Sequence, residues 1–71
     1  MTIGDNIKEL AIATNKSMAT IAKEAGLNRS QLSRCAHDDV SMNLGTFLKV
    51  ARVYPNFVWD FGDIKVVTIK E

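Results

Sequence analysis

Residues 17–37, SMATIAKEAGLNRSQLSRCAH, decide the fold. Met18, Ile21, Ala22 and Ala25 recur at the spacing that gathers side chains on one face of a helix, and Ser17 stands just before them as an N-cap. Gly26 follows at the place where a left-handed residue ends a helix. Leu27 comes next. Asn28-Arg29-Ser30-Gln31 then sets a capping residue three positions ahead of a glutamine that can reach back to it, which starts a new helix at once. That second helix contributes only Leu32, Cys35 and Ala36 to an apolar side, leaving Arg29, Ser30, Ser33 and Arg34 in the other directions. The stretch reads as two short helices joined by a tight turn, the second built to expose a polar face.

Upstream, Ile3, Ile7, Leu10, Ala11 and Thr14 follow the i, i+4, i+7, i+8 spacing of one helical face, with Lys8 and Glu9 off it. A helix is expected over residues 2–14, with Thr2 as N-cap and Asp5 in its first turn, although Gly4 weakens that start. Downstream, His37–Ser41 reads as a loop. Asn43 caps a further helix that turns Leu44, Phe47, Leu48, Ala51 and Tyr54 to the core and ends at Pro55. The last sixteen residues change character. Phe57, Trp59 and Phe61 alternate, Gly62-Asp63 is a two-residue turn, and Ile64 to Ile69 is rich in β-branched residues, which predicts a β-hairpin or a lone C-terminal strand. A competing reading makes residues 56–61 a short fifth helix and leaves only Ile64 to Lys70 extended. The expected fold is mainly α, a small four- to five-helix bundle containing a helix-turn-helix over residues 18–37, with a C-terminal strand or hairpin, all in one domain spanning residues 1–71.

Composition limits the classes open to this chain. With 46% hydrophobic and 24% charged residues and a net charge of +1, its 71 residues describe one small globular domain. A chain this short buries little apolar surface, so self-association is expected. The single cysteine, Cys35, cannot close an intrachain disulfide, and with the single histidine, His37, it cannot supply a four-ligand zinc site; no metal or cofactor is expected, and a reducing cytoplasm fits best. The longest strictly apolar run, Leu10-Ala11-Ile12-Ala13, is far short of a membrane span, and the N-terminus lacks a basic-then-apolar signal, so neither membrane insertion nor secretion is expected. Nor is an enzyme. Cys35 falls on the apolar side of its helix and reads as a small core filler, and His37, two residues on, points about 200° away from it, so the two cannot form a nucleophile–base pair. Asp38-Asp39 reads as a solvating loop element. The charge is uneven: residues 16–34 carry Lys16, Lys23, Arg29 and Arg34 against Glu24 alone, an excess of three positive charges that favours an anionic partner.

A glycine-containing turn between two short helices, the second with a polar face, makes the unit that places its second helix in the DNA major groove. Over roughly residues 2–54 the chain resembles the helix-turn-helix repressors of the phage Cro and phage-repressor class. Ile21, Ala22, Ala25, Gly26, Leu27, Leu32 and Cys35 stand in that family's small-or-apolar framework positions, Ala22 letting the two helices pack closely and Gly26 making the turn. Two positions depart from the pattern. Met18 stands where relatives often carry a glutamine that grips a phosphate, and Cys35 replaces a larger aliphatic residue. The resemblance implies base reading by Asn28, Arg29, Ser30 and Arg34, with Gln31 and Ser33 on the flanks. The residue types suit that task, since arginine presents a planar fork that bonds guanine O6 and N7 together, and serine and asparagine bond bases or phosphates. Arg29 and Arg34 lie about 140° apart around the helix, so both cannot point straight at base edges. Lys16, Ser17, Thr20 and Lys23, with the backbone N–H groups that start the two helices, are the candidate phosphate contacts.

The leading expectation is a sequence-specific DNA-binding transcriptional regulator, a Cro-like repressor acting as a homodimer on a two-fold related operator in the cytoplasm of a bacterial or phage-infected cell, associated with the nucleoid. The runner-up is an antitoxin of a helix-turn-helix addiction module, which Ile21 through Val53 also resembles; its partner would be a toxin protein, and it would repress its own operon. A third reading is a protein-interaction module in which the helix-turn-helix is only a packing solution. Dimerisation is expected from residues 56–71. If the helices supply the core, then Phe57, Trp59, Phe61, Ile64, Val66, Val67 and Ile69 are surplus apolar surface, and an uncovered strand edge invites a second copy. Val50 and Val53 are the next candidates for that interface.

Overall fold

Each helix of the computed structural model, which describes residues 1–69, begins at a side chain that the sequence supplies as a cap. For α1 (Ile3–Thr14) it is Thr2, in a reciprocal capping box with Asp5: the Asp5 N–H donates to Thr2 Oγ1 at 3.1 Å and the Thr2 N–H to Asp5 Oδ2 at 3.0 Å. Ser17 caps α2 (Met18–Ala25), Asn28 caps α3 (Arg29–Ala36) and Asn43 caps α4 (Leu44–Val53), accepting from the N–H groups of Thr20, Ser30 and Thr46 at 3.2, 2.8 and 2.8 Å. Gly26 ends α2 at φ 72°, and the Leu27 N–H reaches back to the Ala22 carbonyl at 2.8 Å, the closing bond of a Schellman motif. A side chain at that φ is strained, which explains the glycine.

The chain ends in a hairpin. β1 (Val58–Asp60) pairs antiparallel with β2 (Lys65–Val67), setting Val58 opposite Val67, Trp59 opposite Val66 and Asp60 opposite Lys65. The two-residue turn is Gly62-Asp63, closed by the Phe61 N–H on the Ile64 carbonyl at 2.9 Å. Gly62 at φ 94° is its only left-handed residue, the pattern of a type II′ turn. Residues 56–61 are therefore not a fifth helix. Their apolar positions repeat every second residue, which buries one side of a strand and would scatter around a helix. Lys70 and Glu71, which end the expected C-terminal segment, lie outside the described residues.

One apolar cluster joins all the elements except β2: Ile7 and Leu10 of α1, Ile21, Ala22 and Ala25 of α2, Leu32, Cys35 and Ala36 of α3, Val50 and Ala51 of α4, Tyr54, and Trp59 of β1. Trp59 is wholly buried, with the rings of Phe47 and Phe57 edge-on at 5.0 and 5.1 Å. This corrects the expectation that Trp59 faces a second copy. Four of the helical core positions, 22, 25, 36 and 51, are alanines, and the interior is completed by a large side chain from the hairpin. Phe57, Phe61 and Val66 are half-buried against the same core. Leu44, expected inside, is 70% exposed, because Thr46, Val50 and Ala51 take the inward direction of α4. Val50 is buried, so it offers nothing to a second copy.

Asp38 also departs from expectation. Rather than solvating its loop, it accepts from the Thr2 hydroxyl at 3.0 Å and from the Gly4 N–H at 3.1 Å, tying the end of α3 to the start of α1. Gly4 permits that approach, since a Cβ there would lie 2.6 Å from the Ala36 carbonyl oxygen and from Asp38 Oδ2. Gly4→Ala, which in an open helix stabilises by up to about 1 kcal/mol, is here expected to destabilise by about 1 to 3 kcal/mol. Urea denaturation checks the sign: a more stable variant would mean that the two helices do not meet at Gly4.

Candidate nucleic-acid interface

α3 packs on α1 and α2 through Leu32, Cys35 and Ala36, which fixes what its remaining directions can show. Arg29, Ser30, Gln31 and Arg34 are exposed and Ser33 is half-buried. Arg29, Ser30, Ser33 and Arg34 line one open recess of about 320 Å³. Gln31 lies outside this lining, and Asn28, at the start of the helix, commits its Oδ1 to the Ser30 N–H. Neither arginine is paired with a carboxylate among the described residues, where Lys16–Glu24 is the one ion pair. The recess thus holds two cationic forks and two hydroxyls, a set that can bond to base edges or phosphate oxygens.

The expected phosphate contacts divide. Lys23 is exposed on α2, and Ser17 and Thr20 are exposed at its start, where their hydroxyls share a 3.0 Å hydrogen bond. Lys16 differs. Its Nζ lies 2.9 Å from both carboxylate oxygens of Glu24 and 5.2 Å from the centre of the Tyr54 ring, so its charge is engaged within the molecule. The Tyr54 hydroxyl donates to the same carboxylate. That hydroxyl bond, and then the Lys16 ammonium, hold the Glu24 carboxyl below its ordinary range, while burial, and then the bond to Glu24, push the Tyr54 hydroxyl up. Sequence reasoning missed this cluster because its members come from the α1–α2 turn, from α2 and from the end of α4. The one available signal was that Glu24 is the sole acid in the basic stretch.

Cys35 is buried and burial raises its thiol pKa, which disfavours the reactive thiolate. On another part of the surface Ile3, Met42, Leu44, Phe47 and Phe61 line an apolar recess of about 350 Å³, with no polar side chain to meet a base or a phosphate. Among the described residues no helix is long and apolar enough to cross a membrane, and no three His, Cys, Asp or Glu side chains are grouped to hold a metal ion. No known protein family, curated protein or solved structure matches this chain.

Proposed function

We propose that the protein is a sequence-specific DNA-binding transcriptional regulator, a repressor, that sets α3 in the major groove and acts as a homodimer. The observation that carries this reading is the recess of Arg29, Ser30, Ser33 and Arg34, with both guanidinium groups unpaired among the described residues, on a helix held behind by α1 and α2. The hairpin supports the dimer. Its bonded pairs alternate from Phe61–Ile64, so the backbone groups of Lys65 and Val67 point away from β1. The corresponding groups of Asp60, on the outer edge of β1, are instead occupied by the Asn6 side chain. Among the described residues the outer edge of β2 carries no such clamp, and it is the edge assigned to a second copy. Val58, Ile64, Val67 and Ile69, between 46% and 80% exposed, are the apolar residues an antiparallel β2–β2 pairing would help to cover. Such a pairing sets two α3 helices at a fixed separation, which two half-sites one DNA turn apart, about 34 Å, require.

The test is selection of bound fragments from sheared genomic DNA, followed by sedimentation of the protein alone. The expected result is enrichment of a two-fold related sequence and a dimer. Binding without sequence preference, or no binding, overturns the reading. On the selected sequence, Arg34→Ala is expected to lose about 1 to 3 kcal/mol and to relax preference at one base position. Lys23→Ala is expected to lower affinity for every sequence alike and to flatten the salt dependence by about one unit. Titrations against selected and scrambled duplexes distinguish these roles, and identical profiles for the two variants would contradict them.

A further inference from the structure

We propose that Glu24, anchored by Tyr54, is a specificity-determining residue that withholds the Lys16 ammonium from DNA phosphates; this rests on the DNA-binding reading above. Lys16 directly precedes Ser17, the cap of α2, where an N-terminus with its free N–H groups and a neighbouring cation suits a phosphate. Yet the ammonium is drawn the other way, along α2 to Glu24, in the last turn of that helix, and onto the face of Tyr54. A lone surface carboxylate would hold a lysine weakly, and a phosphate would compete for it well. Here the carboxylate is itself positioned by the Tyr54 hydroxyl, and the aromatic face holds the ammonium a second time. The cluster therefore removes one cation from the set that binds every sequence equally.

The consequence concerns selectivity. Phosphate contacts add affinity without sequence information, and a regulator must find its site among a large excess of other sequences. With Lys16 engaged internally, the four side chains of the α3 recess carry a larger share of the binding. Tyr54 acts through Glu24 and is a positioning residue.

The experiment is a salt titration of the full-length protein on a 20-base-pair duplex of scrambled sequence, using wild type, Glu24→Gln, Lys16→Met, the double variant and Tyr54→Phe. Glutamine keeps the shape of Glu24 and still accepts the Tyr54 hydroxyl. Glu24→Gln is expected to bind the scrambled duplex more tightly than wild type at low salt. Its log–log salt slope should steepen by about 0.9, so that between 50 and 200 mM salt it loses about 3- to 4-fold more affinity than wild type. In the Lys16→Met background the same change should have no effect on the slope, and Tyr54→Phe should shift the slope in the direction of Glu24→Gln. An unchanged slope in Glu24→Gln, or the same gain with and without Lys16, overturns the proposal: the latter would be the plain loss of a negative charge. Failure of wild type to bind any duplex would instead overturn the DNA-binding reading itself.

Discussion

Trp59→Ala is expected to cost about 3 to 5 kcal/mol, the range for deleting a buried tryptophan side chain. A single core in a chain of this length rarely supplies more than about 3 to 5 kcal/mol, so the variant should be largely unfolded or close to its midpoint at room temperature. The effect is large because nothing near Trp59 can move in to replace it. The indole is wholly buried in the one core cluster, and the Phe47 and Phe57 rings already stand edge-on against it. Trp59→Phe should cost less: it keeps a ring in the site and deletes an indole N–H that has no partner among the described residues. Chemical denaturation followed by circular dichroism checks both. An unchanged midpoint for Trp59→Ala would mean that the hairpin is an accessory to the core.

Asn6→Ala is expected to cost about 2 to 4 kcal/mol, from a single residue on α1. Asn6 is 1% exposed and makes three hydrogen bonds of 2.8 Å: its amide NH₂ donates to the Thr2 and Asp60 carbonyls, and its Oδ1 accepts from the Asp60 N–H. Alanine leaves both backbone groups of the half-buried Asp60 without the Asn6 side chain that satisfies them. Hydrogen exchange gives the specific readout. The Asp60 amide should lose protection by a larger factor than amides in the middle of α2 and α3, because the hairpin detaches before the helices do. Equal protection of the Asp60 amide in the variant and in wild type would show that Asn6 does not hold β1.

The helices were legible because their signals are local. Thr2, Ser17, Asn28 and Asn43 each cap the helix that follows within a few residues, and Gly26 needs only its own backbone geometry to end α2. The hairpin was half legible: the alternation of Phe57, Trp59 and Phe61 gave the period, but which side faced inward depended on a gap between helices that no short window contains. For the same reason a short window cannot show that Trp59 is buried and Leu44 exposed. At the candidate site, the exposure of Arg29 and Arg34 followed from the three apolar residues opposite them on α3. The commitment of Lys16 did not, since Tyr54 reaches Glu24 from 30 positions further along the chain. The Asp38 contacts are likewise illegible locally, because its partners, Thr2 and Gly4, lie 36 and 34 positions earlier in the chain.

The tie between Asn6 and Asp60, separated by 54 positions, bears on the order of events during synthesis. Ribosomes add about 5 to 20 residues per second, so Ala36, the last residue of α3, is made roughly 1 to 5 s before Trp59. Through that interval the chain already contains every residue of the α3 recess, yet lacks the side chain that closes the interior and the strand that Asn6 clamps. The nascent polypeptide cannot complete its fold until the hairpin has emerged. A chain that stops short of Trp59, through a nonsense mutation or ribosome stalling, is therefore expected to be less stable than the finished protein and more readily cleared by proteases.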